Sequence, residues 1–156
     1  MSDITSKNVT IHVATDHAGL SHKELVKSEL EELGYVVVDH GAVAYDELDD
    51  FPDYIAAAAK AVSGDAGSKG IIFGGSGQGE AMMANRYKGV RAAVFYGGEE
   101  DIVKLSREHN DANVLSIGAR FVSLEDTKRI VIEWLQMDAN TDEKYLRRNK
   151  KLDELA

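Results

Sequence analysis

The sequence predicts an α/β fold: a three-layer Rossmann-like (flavodoxin-like) sandwich, in which a five-stranded parallel sheet carries helices on both faces. Short apolar segments alternate with helical segments along the chain. The apolar segments are near-continuous runs, as expected for strands that are buried on both faces. Right-handed crossover connections join such strands. The 156 residues fit one domain, 1–156, and no internal repeat, low-complexity tract or linker divides them.

The predicted strands span residues 9–14, 35–38, 70–73, 92–95 and 113–117. After the first strand, residues 16–19 turn into a helix that places Val26, Leu30 and Leu33 on one face and ends at Gly34. An acidic loop over residues 46–50 follows the second strand.

Proline and glycine mark the middle of the chain. Pro52 stands where the second helix begins, and the apolar face of that helix consists of Tyr54, Ile55, Ala58, Ala59 and Val62. The glycine-rich segment 74–80 leads from the third strand into a short helix that ends near Asn85.

Three helices are predicted in the last third of the chain. The first contains Val103 and Leu105. Ser123 and Asp126 resemble a capping box, and the helix that they open buries Ile130, Val131, Trp134 and Leu135. A highly charged helix covers about residues 141–155.

Composition excludes several classes of function. There are no cysteines, so acid–base chemistry falls to Asp, Glu, His or Lys. The net charge of −9 argues against nucleic acid or an anionic membrane as partner, and any phosphate site must be built locally. The polar segment Met1–Asn8 lacks the apolar core of a signal peptide, and no apolar run is long enough to span a membrane. We therefore expect a cytoplasmic protein.

Ligands of open α/β sheets bind beyond the carboxyl ends of the strands, where the strand order reverses. Several polar side chains are expected at this edge: Asp16 and His17 after the first strand, Ser76 and Glu80 after the third, His109 and Asn110 after the helix that follows the fourth, and Arg120 after the fifth.

The loop Gly74-Gly75-Ser76-Gly77-Gln78-Gly79 is the strongest local signal. Four glycines allow the backbone to point several N–H groups at one position, in the positive field of the following helix. Such a nest suits a phosphate or an enolate-type oxyanion equally; a tight turn that requires positive φ is the structural alternative. The loop follows the third strand, unlike a dinucleotide-binding loop, and lacks the Gly-Lys-Ser/Thr of a P-loop.

Glu80 is the best-placed general base, because a carboxylate beside an oxyanion nest can remove a proton alpha to a carbonyl. Its alternative role is simply that of an acid favoured by the helix dipole. Asp16 and His17 equally fit a capping turn, and His109 fits a helix C-terminus that its charge stabilises. Arg147 and Lys151 are spaced i, i+4 on the last helix, where they form either a solvated face or a basic pair delivered to a neighbouring subunit.

Together these residues resemble the ribose-5-phosphate isomerase B / galactose-6-phosphate isomerase family. The matching segments are Asp16-His17-Ala18-Gly19, Phe51-Pro52-Asp53-Tyr54, the loop from Gly74 to Glu80, Ala84-Asn85, Gly89-Val90-Arg91-Ala92, the segment from Arg107 to Leu115, and Gly118-Ala119-Arg120. They span nearly the whole chain in the family's order.

The resemblance implies a homodimer or larger assembly with active sites shared between subunits, no metal and no organic cofactor. One branch of the family uses a cysteine before the glycine loop as its base, and the other uses a glutamate after it. Phe73 or Gly74 occupies the cysteine position here, and Glu80 occupies the glutamate position.

The resemblance also assigns roles by position. His109 would open the sugar ring with Asp16 assisting, while Ser76 and the loop amides of Gly75, Gly77, Gln78 and Gly79 would stabilise an enediolate. Asn110 would contact the substrate, and His17, Arg120, Arg147 and Lys151 would bind its phosphate. His109, Arg120 or the last-helix pair could come from the partner subunit. The family usually has a second arginine where this chain has Lys151, which cannot make the same bidentate contact.

The functional hypothesis is an aldose–ketose isomerase that interconverts ribose 5-phosphate and ribulose 5-phosphate. The alternatives are an isomerase of galactose 6-phosphate, allose 6-phosphate or a tetrulose phosphate, a non-catalytic flavodoxin-like binding module, and a non-catalytic subunit of a hetero-oligomeric isomerase.

Overall fold

A computed structural model describes residues 8–155. Residues 1–7, most of the polar segment predicted not to be a signal peptide, lie outside the described residues. The strands are β1 (Thr10–Thr15), β2 (Val36–Asp39), β3 (Lys69–Gly74), β4 (Ala92–Phe95) and β5 (Val114–Gly118). The helices are α1 (Leu20–Glu32), α2 (Phe51–Gly64), α3 (Gln78–Ala84), α4 (Asp101–Glu108), α5 (Leu124–Gln136) and α6 (Glu143–Glu154), and a 3-10 turn, His17–Gly19, precedes α1.

The five strands form one sheet in the order β2-β1-β3-β5-β4. Every neighbouring pair is parallel, which confirms the predicted sheet. The order reverses between β1 and β3, where Thr15 pairs with Phe73. The chain passes over the position beside β3 to build β4 at the edge and returns to fill that position with β5.

Each face of the sheet buries its own apolar cluster, which confirms helices on both faces. Ile11, Val13, Ile71 and Phe73 point to one side, where α1, α4 and α5 cover them. Ala14 and Ile72 point to the other side, and their cluster is completed by Ile55, Ala58, Ala59, Val62, Ala84, Val90 and Val114.

Local signals place the element boundaries as expected. Gly34 adopts a φ of 94° just after α1, Pro52 lies in the first turn of α2, and the Ser123 hydroxyl accepts a hydrogen bond from the Asp126 amide at the start of α5. Leu33 and Val36 are more exposed than predicted, because α1 ends at Glu32 and β2 is an edge strand.

The helices among residues 8–155 are all too short or too polar to cross a membrane.

Candidate active site

The candidate site lies at the carboxyl edge of the sheet, at the switch point between β1 and β3. Because Thr15 pairs with Phe73, Asp16 and Gly74 leave neighbouring strands side by side. Asp16 is buried and its Oδ1 accepts a hydrogen bond from the Ala18 amide at 2.9 Å. The Asp16 side chain therefore caps the turn that follows β1 and also lies in the candidate site.

The glycine loop is clamped onto the end of β5. Ala119 donates its backbone N–H to the Gly74 carbonyl at 2.8 Å, and Arg120 donates to the Gly75 carbonyl at 3.0 Å. The buried Ser116 hydroxyl donates to the Gly77 carbonyl at 2.7 Å. Gly77 adopts a φ of 79°, in the left-handed region that favours glycine, and is the residue just before α3.

Glu80 is buried inside this loop. It is 5% exposed, and the backbone amides of Gly77 and of Glu80 itself lie near its carboxyl group. Burial raises the pKa of this carboxyl, and the nearby Asp16 charge raises it further, against the opposing effect of those amides. A carboxyl group tuned in this direction suits proton transfer near neutral pH.

His17 leaves β1 one residue after Asp16 and pairs with the acidic loop. Its Nδ1 lies 2.7 Å from Asp49 Oδ1, and its backbone N–H donates to the same oxygen at 3.3 Å. The Tyr45 ring meets the imidazole edge-on, with 5.8 Å between the ring centroids. The hydrogen bond to Asp49 raises the pKa of His17 above its ordinary value, and the Asp16 charge adds to this effect.

Arg120 supplies a second cation beside His17. Its guanidinium lies over Gly75, where a Cβ would stand 3.0 Å from the Arg120 Cζ. It is close enough to lower the pKa of His17, although less strongly than Asp49 raises it. Arg120 is exposed, as are Ser76 and Gln78. The Ser76 Oγ accepts a hydrogen bond from the Gln78 amide at 3.3 Å.

His109 and Asn110 lie at the opposite edge of the sheet, which corrects the expectation that they share the carboxyl edge. They follow α4, a helix that returns from the end of β4 to the start of β5. The Asn113 carbonyl, just beyond them, accepts from the Gly70 amide at the start of β3. The six residues of β3 separate the two edges by about 16 Å.

Helix α6 packs beside His109. The His109 imidazole stacks on Tyr145, with 4.7 Å between centroids and an interplanar angle of 10°. The Asn149 side chain donates to the His109 carbonyl at 3.0 Å, and Arg91 pairs with Asp153 at 3.0 Å. The described part of α6 has no buried residue.

The structure distinguishes two basic pairs on α6. Arg147 forms an ion pair with Glu143, one turn earlier, and Lys151 is exposed. Lys144 and Arg148 instead lie near the Tyr145 ring, 5.1 Å and 6.0 Å from its centroid. Sequence reasoning did not single out Lys144 or Arg148, although their i, i+4 spacing matches that of Arg147 and Lys151.

Asp49 is the other residue that sequence reasoning missed. The acidic loop was the only signal, and nothing in it distinguishes Asp49 from its neighbours. Asp16, His17 and Asp49 together bring three potential metal-ligand atoms within 4.8 Å of one another. Because the hydrogen bond between His17 and Asp49 accounts for part of this closeness, the expected absence of a metal stays a prediction.

Known proteins similar to this chain are isomerases. The Ribose/Galactose Isomerase family profile matches residues 11–153. A probable ribose-5-phosphate isomerase B of Mycoplasma pneumoniae is 41% identical over 129 residues, which cover 83% of this chain and 84% of that protein. Ribose-5-phosphate isomerase B of Escherichia coli is 41% identical over 120 residues, which cover 77% and 78% of the two chains. Among solved structures, ribose-5-phosphate isomerase B of Mycoplasma genitalium with bound ribulose-5-phosphate superposes with a TM-score of 0.88, at 33% identity, over 94% of this chain and 95% of that one.

Proposed function

This chain belongs to the ribose/galactose isomerase family, and from that membership we propose that it interconverts ribose 5-phosphate and ribulose 5-phosphate. One observation carries the proposal: the carboxyl group of Glu80 is buried inside the glycine loop, beside Asp16, with its pKa raised. An acid in this position can exchange a proton with a carbon atom next to a carbonyl group.

The reaction begins with opening of the furanose ring, for which His109 and Asp16 are the proposed acid–base groups. Glu80 then removes the proton from C2 of the open aldose, and the electron pair moves to form a cis-enediolate. The loop amides and Ser76 stabilise the developing oxyanion. Glu80 returns the proton to C1 while the hydroxyl proton of O2 passes to O1, which gives the ketose. A single well-placed oxyanion donor contributes about 3–4 kcal/mol to such a transition state.

The charges around His17 support a site that one protomer leaves incomplete. Asp16 and Asp49 are two acids near His17, and Arg120 is a cation beside it. With His17 protonated these four charges cancel, whereas a phosphate monoester brings a charge of about −1.5 to −2. Additional cations from a second copy of this chain would balance that charge.

We infer that, in a homodimer or a tetramer, α6 provides these additional cations to the site of a neighbouring subunit and that His109 enters the same site. His109 lies at the amino edge of its own sheet, about one strand length from Glu80. It is packed against α6. This helix has five basic side chains: Lys144, Arg147, Arg148, Lys150 and Lys151. A helix without buried residues is suited to lie against a partner.

A substrate panel tests the proposed function. The purified full-length chain is assayed in coupled assays with ribose 5-phosphate, galactose 6-phosphate, allose 6-phosphate and a tetrulose phosphate. We expect the highest kcat/KM with ribose 5-phosphate, in a colourless protein with no flavin absorbance. Preference for another sugar phosphate would reassign the substrate, and activity with none would overturn the isomerase proposal. As expected from the sequence, we propose that the enzyme works in the cytoplasm.

A further inference from the structure

We propose that Asp49 is a positioning residue of the substrate site: it holds the His17 imidazole by Nδ1, so that Nε2–H is presented to an anionic oxygen of the sugar phosphate. This inference rests on the proposed function, because it assigns His17 to the phosphate group. It gives the acidic loop a part in the site that its composition alone does not suggest.

The hydrogen bonds define which nitrogen of His17 carries a proton. Asp49 Oδ1 lies 2.7 Å from His17 Nδ1. An ionised carboxylate only accepts hydrogen bonds, so Nδ1 must be the donor. The same oxygen accepts the His17 backbone N–H at 3.3 Å. Both the ring and the main chain of His17 are therefore tied to one atom of Asp49, and Nε2 is left for a ligand.

The burial of the Asp49 carboxylate favours the protonated form of His17. Its side chain is 5% exposed, whereas that of His17 is 21% exposed. Its second oxygen, Oδ2, is buried and has no hydrogen-bond partner among residues 8–155. A buried carboxylate needs a compensating positive charge, and protonated His17 provides it. Asp49 thus favours the imidazolium, in which Nε2 is a donor rather than an acceptor.

The other groups that face His17 fit an anion site. Asp16 Oδ2 lies 4.0 Å from His17 Nδ1, which places it on the Asp49 side of the ring. Arg120 approaches closely enough to act against protonation of His17, and Tyr45 contacts the ring edge-on. The protonated His17, which is paired with the buried Asp49 carboxylate, and Arg120 are two cations kept close together. They are suited to share one anionic oxygen of a ligand.

Asp49→Asn tests the proposal, because it keeps an acceptor for Nδ1–H but removes the charge. Asp50→Asn is the matched control: Asp50 is the adjacent acid, is exposed, and makes no side-chain cap to α2. We expect Asp49→Asn to raise the KM for ribose 5-phosphate about tenfold or more, as expected when a charged hydrogen bond is weakened. We expect kcat to change less than twofold, and Asp50→Asn to leave both constants unchanged. An unchanged KM, or a fall in kcat alone, would overturn the positioning role.

NMR of the His17 imidazole gives a readout that needs no turnover. In the ligand-free wild-type protein, Nδ1 should stay protonated in the neutral ring, and the pKa of His17 should fall in Asp49→Asn but not in Asp50→Asn. A neutral ring protonated on Nε2, or a pKa that is insensitive to Asp49, would refute the proposal. The position of the proton in the neutral ring is measured in the wild-type protein, so this part of the test remains decisive even if Asp49→Asn folds poorly. Absence of ribose 5-phosphate turnover in the wild type would instead count against the proposed function alone.

Discussion

The carboxyl group of Glu80 lies directly against the Cα of Gly74, so that a Cβ at position 74 would overlap it. Gly74 is the last residue of β3, and Glu80 is in the first turn of α3. The loop between them folds back on itself, and the acid is brought to the end of the strand that precedes it. Glycine at position 74 is therefore needed for the position of the proposed base, in addition to any role in the turn.

Gly74→Ala should lower kcat about tenfold to a hundredfold, because the added methyl group displaces the Glu80 carboxyl from a buried site in which small displacements are costly. Gly64→Ala is the matched control, since a Cβ at that helical position meets no atom within 4 Å. Steady-state kinetics of both variants give the comparison. The effect should also vanish in a Glu80→Gln background. Equal losses from Gly74→Ala with and without Glu80 would show that Gly74 acts by another route.

Glu80→Gln should reduce kcat by orders of magnitude and leave KM similar, because only the proton transfer needs the carboxylate. It should also make the protein more stable at neutral pH. Burial raises the pKa of Glu80 above its ordinary value of 4.5 in the folded state, so ionisation disfavours folding as the pH rises through and above that value. Urea unfolding at pH 4 and pH 7 measures this effect. Near-normal turnover would remove Glu80 from its role, and equal stabilities at pH 7 would contradict the burial penalty.

The sequence is informative about the site wherever function depends on local chain geometry. The glycine loop and Glu80 are contiguous, so their nest and its acid can be recognised from the order of residues alone. The relation of Asp49 to His17 cannot, because 32 residues separate them and only the folded loop brings their side chains together. The same limit applies to the fold, since a strand pattern does not specify that β5 inserts between β3 and β4.

His109 shows a further limit of reasoning from element order. A residue at the end of a crossover helix lies at the amino edge of the sheet, and we expected it at the carboxyl edge. The family resemblance left open that His109 comes from a partner subunit, and the fold of one protomer supports that option. His109 packs against Tyr145 of α6. The charge pattern of α6 does not define which residues this helix contacts, so this packing could not be predicted from the sequence.

A partly buried histidine pair should make stability depend on pH. His12 Nδ1 lies 2.9 Å from His40 Nε2, and burial lowers the pKa of both rings below 6.5, with the His40 charge also lowering that of His12. The unfolded chain therefore binds more protons, and stability present above pH 6.5 is lost as the pH falls through that value. Urea unfolding between pH 8 and pH 5.5 should show a smaller slope for His40→Gln than for the wild type. Identical slopes would contradict the contribution of the pair.

The two basic pairs of α6 should differ in their effect on substrate binding. Lys144 and Arg148 lie beside the Tyr145 ring, which stacks on His109, whereas Arg147 is already paired with Glu143. If α6 accompanies His109 to a neighbouring site, Arg148→Ala should raise KM for ribose 5-phosphate about tenfold, as expected for loss of a charged hydrogen bond, and Arg147→Ala should raise it less. KM values of the two single variants decide the matter. A larger effect of Arg147→Ala would assign the phosphate to Arg147 and Lys151 instead.

Mixed oligomers give the most direct test of a site shared between subunits. Glu80→Gln and His109→Asn should each be nearly inactive alone, because each variant alters every site of its own homo-oligomer. Co-expressed with different affinity tags, the two chains should form dimers in which one site has both intact residues and the other has neither. With random pairing, about half of the dimers are mixed and half of their sites are intact, so about a quarter of wild-type activity should return. Activity should rise further, to about half, in mixed dimers isolated through both tags. If Glu80 and His109 of one protomer act together, mixing the two variants should restore no activity at all.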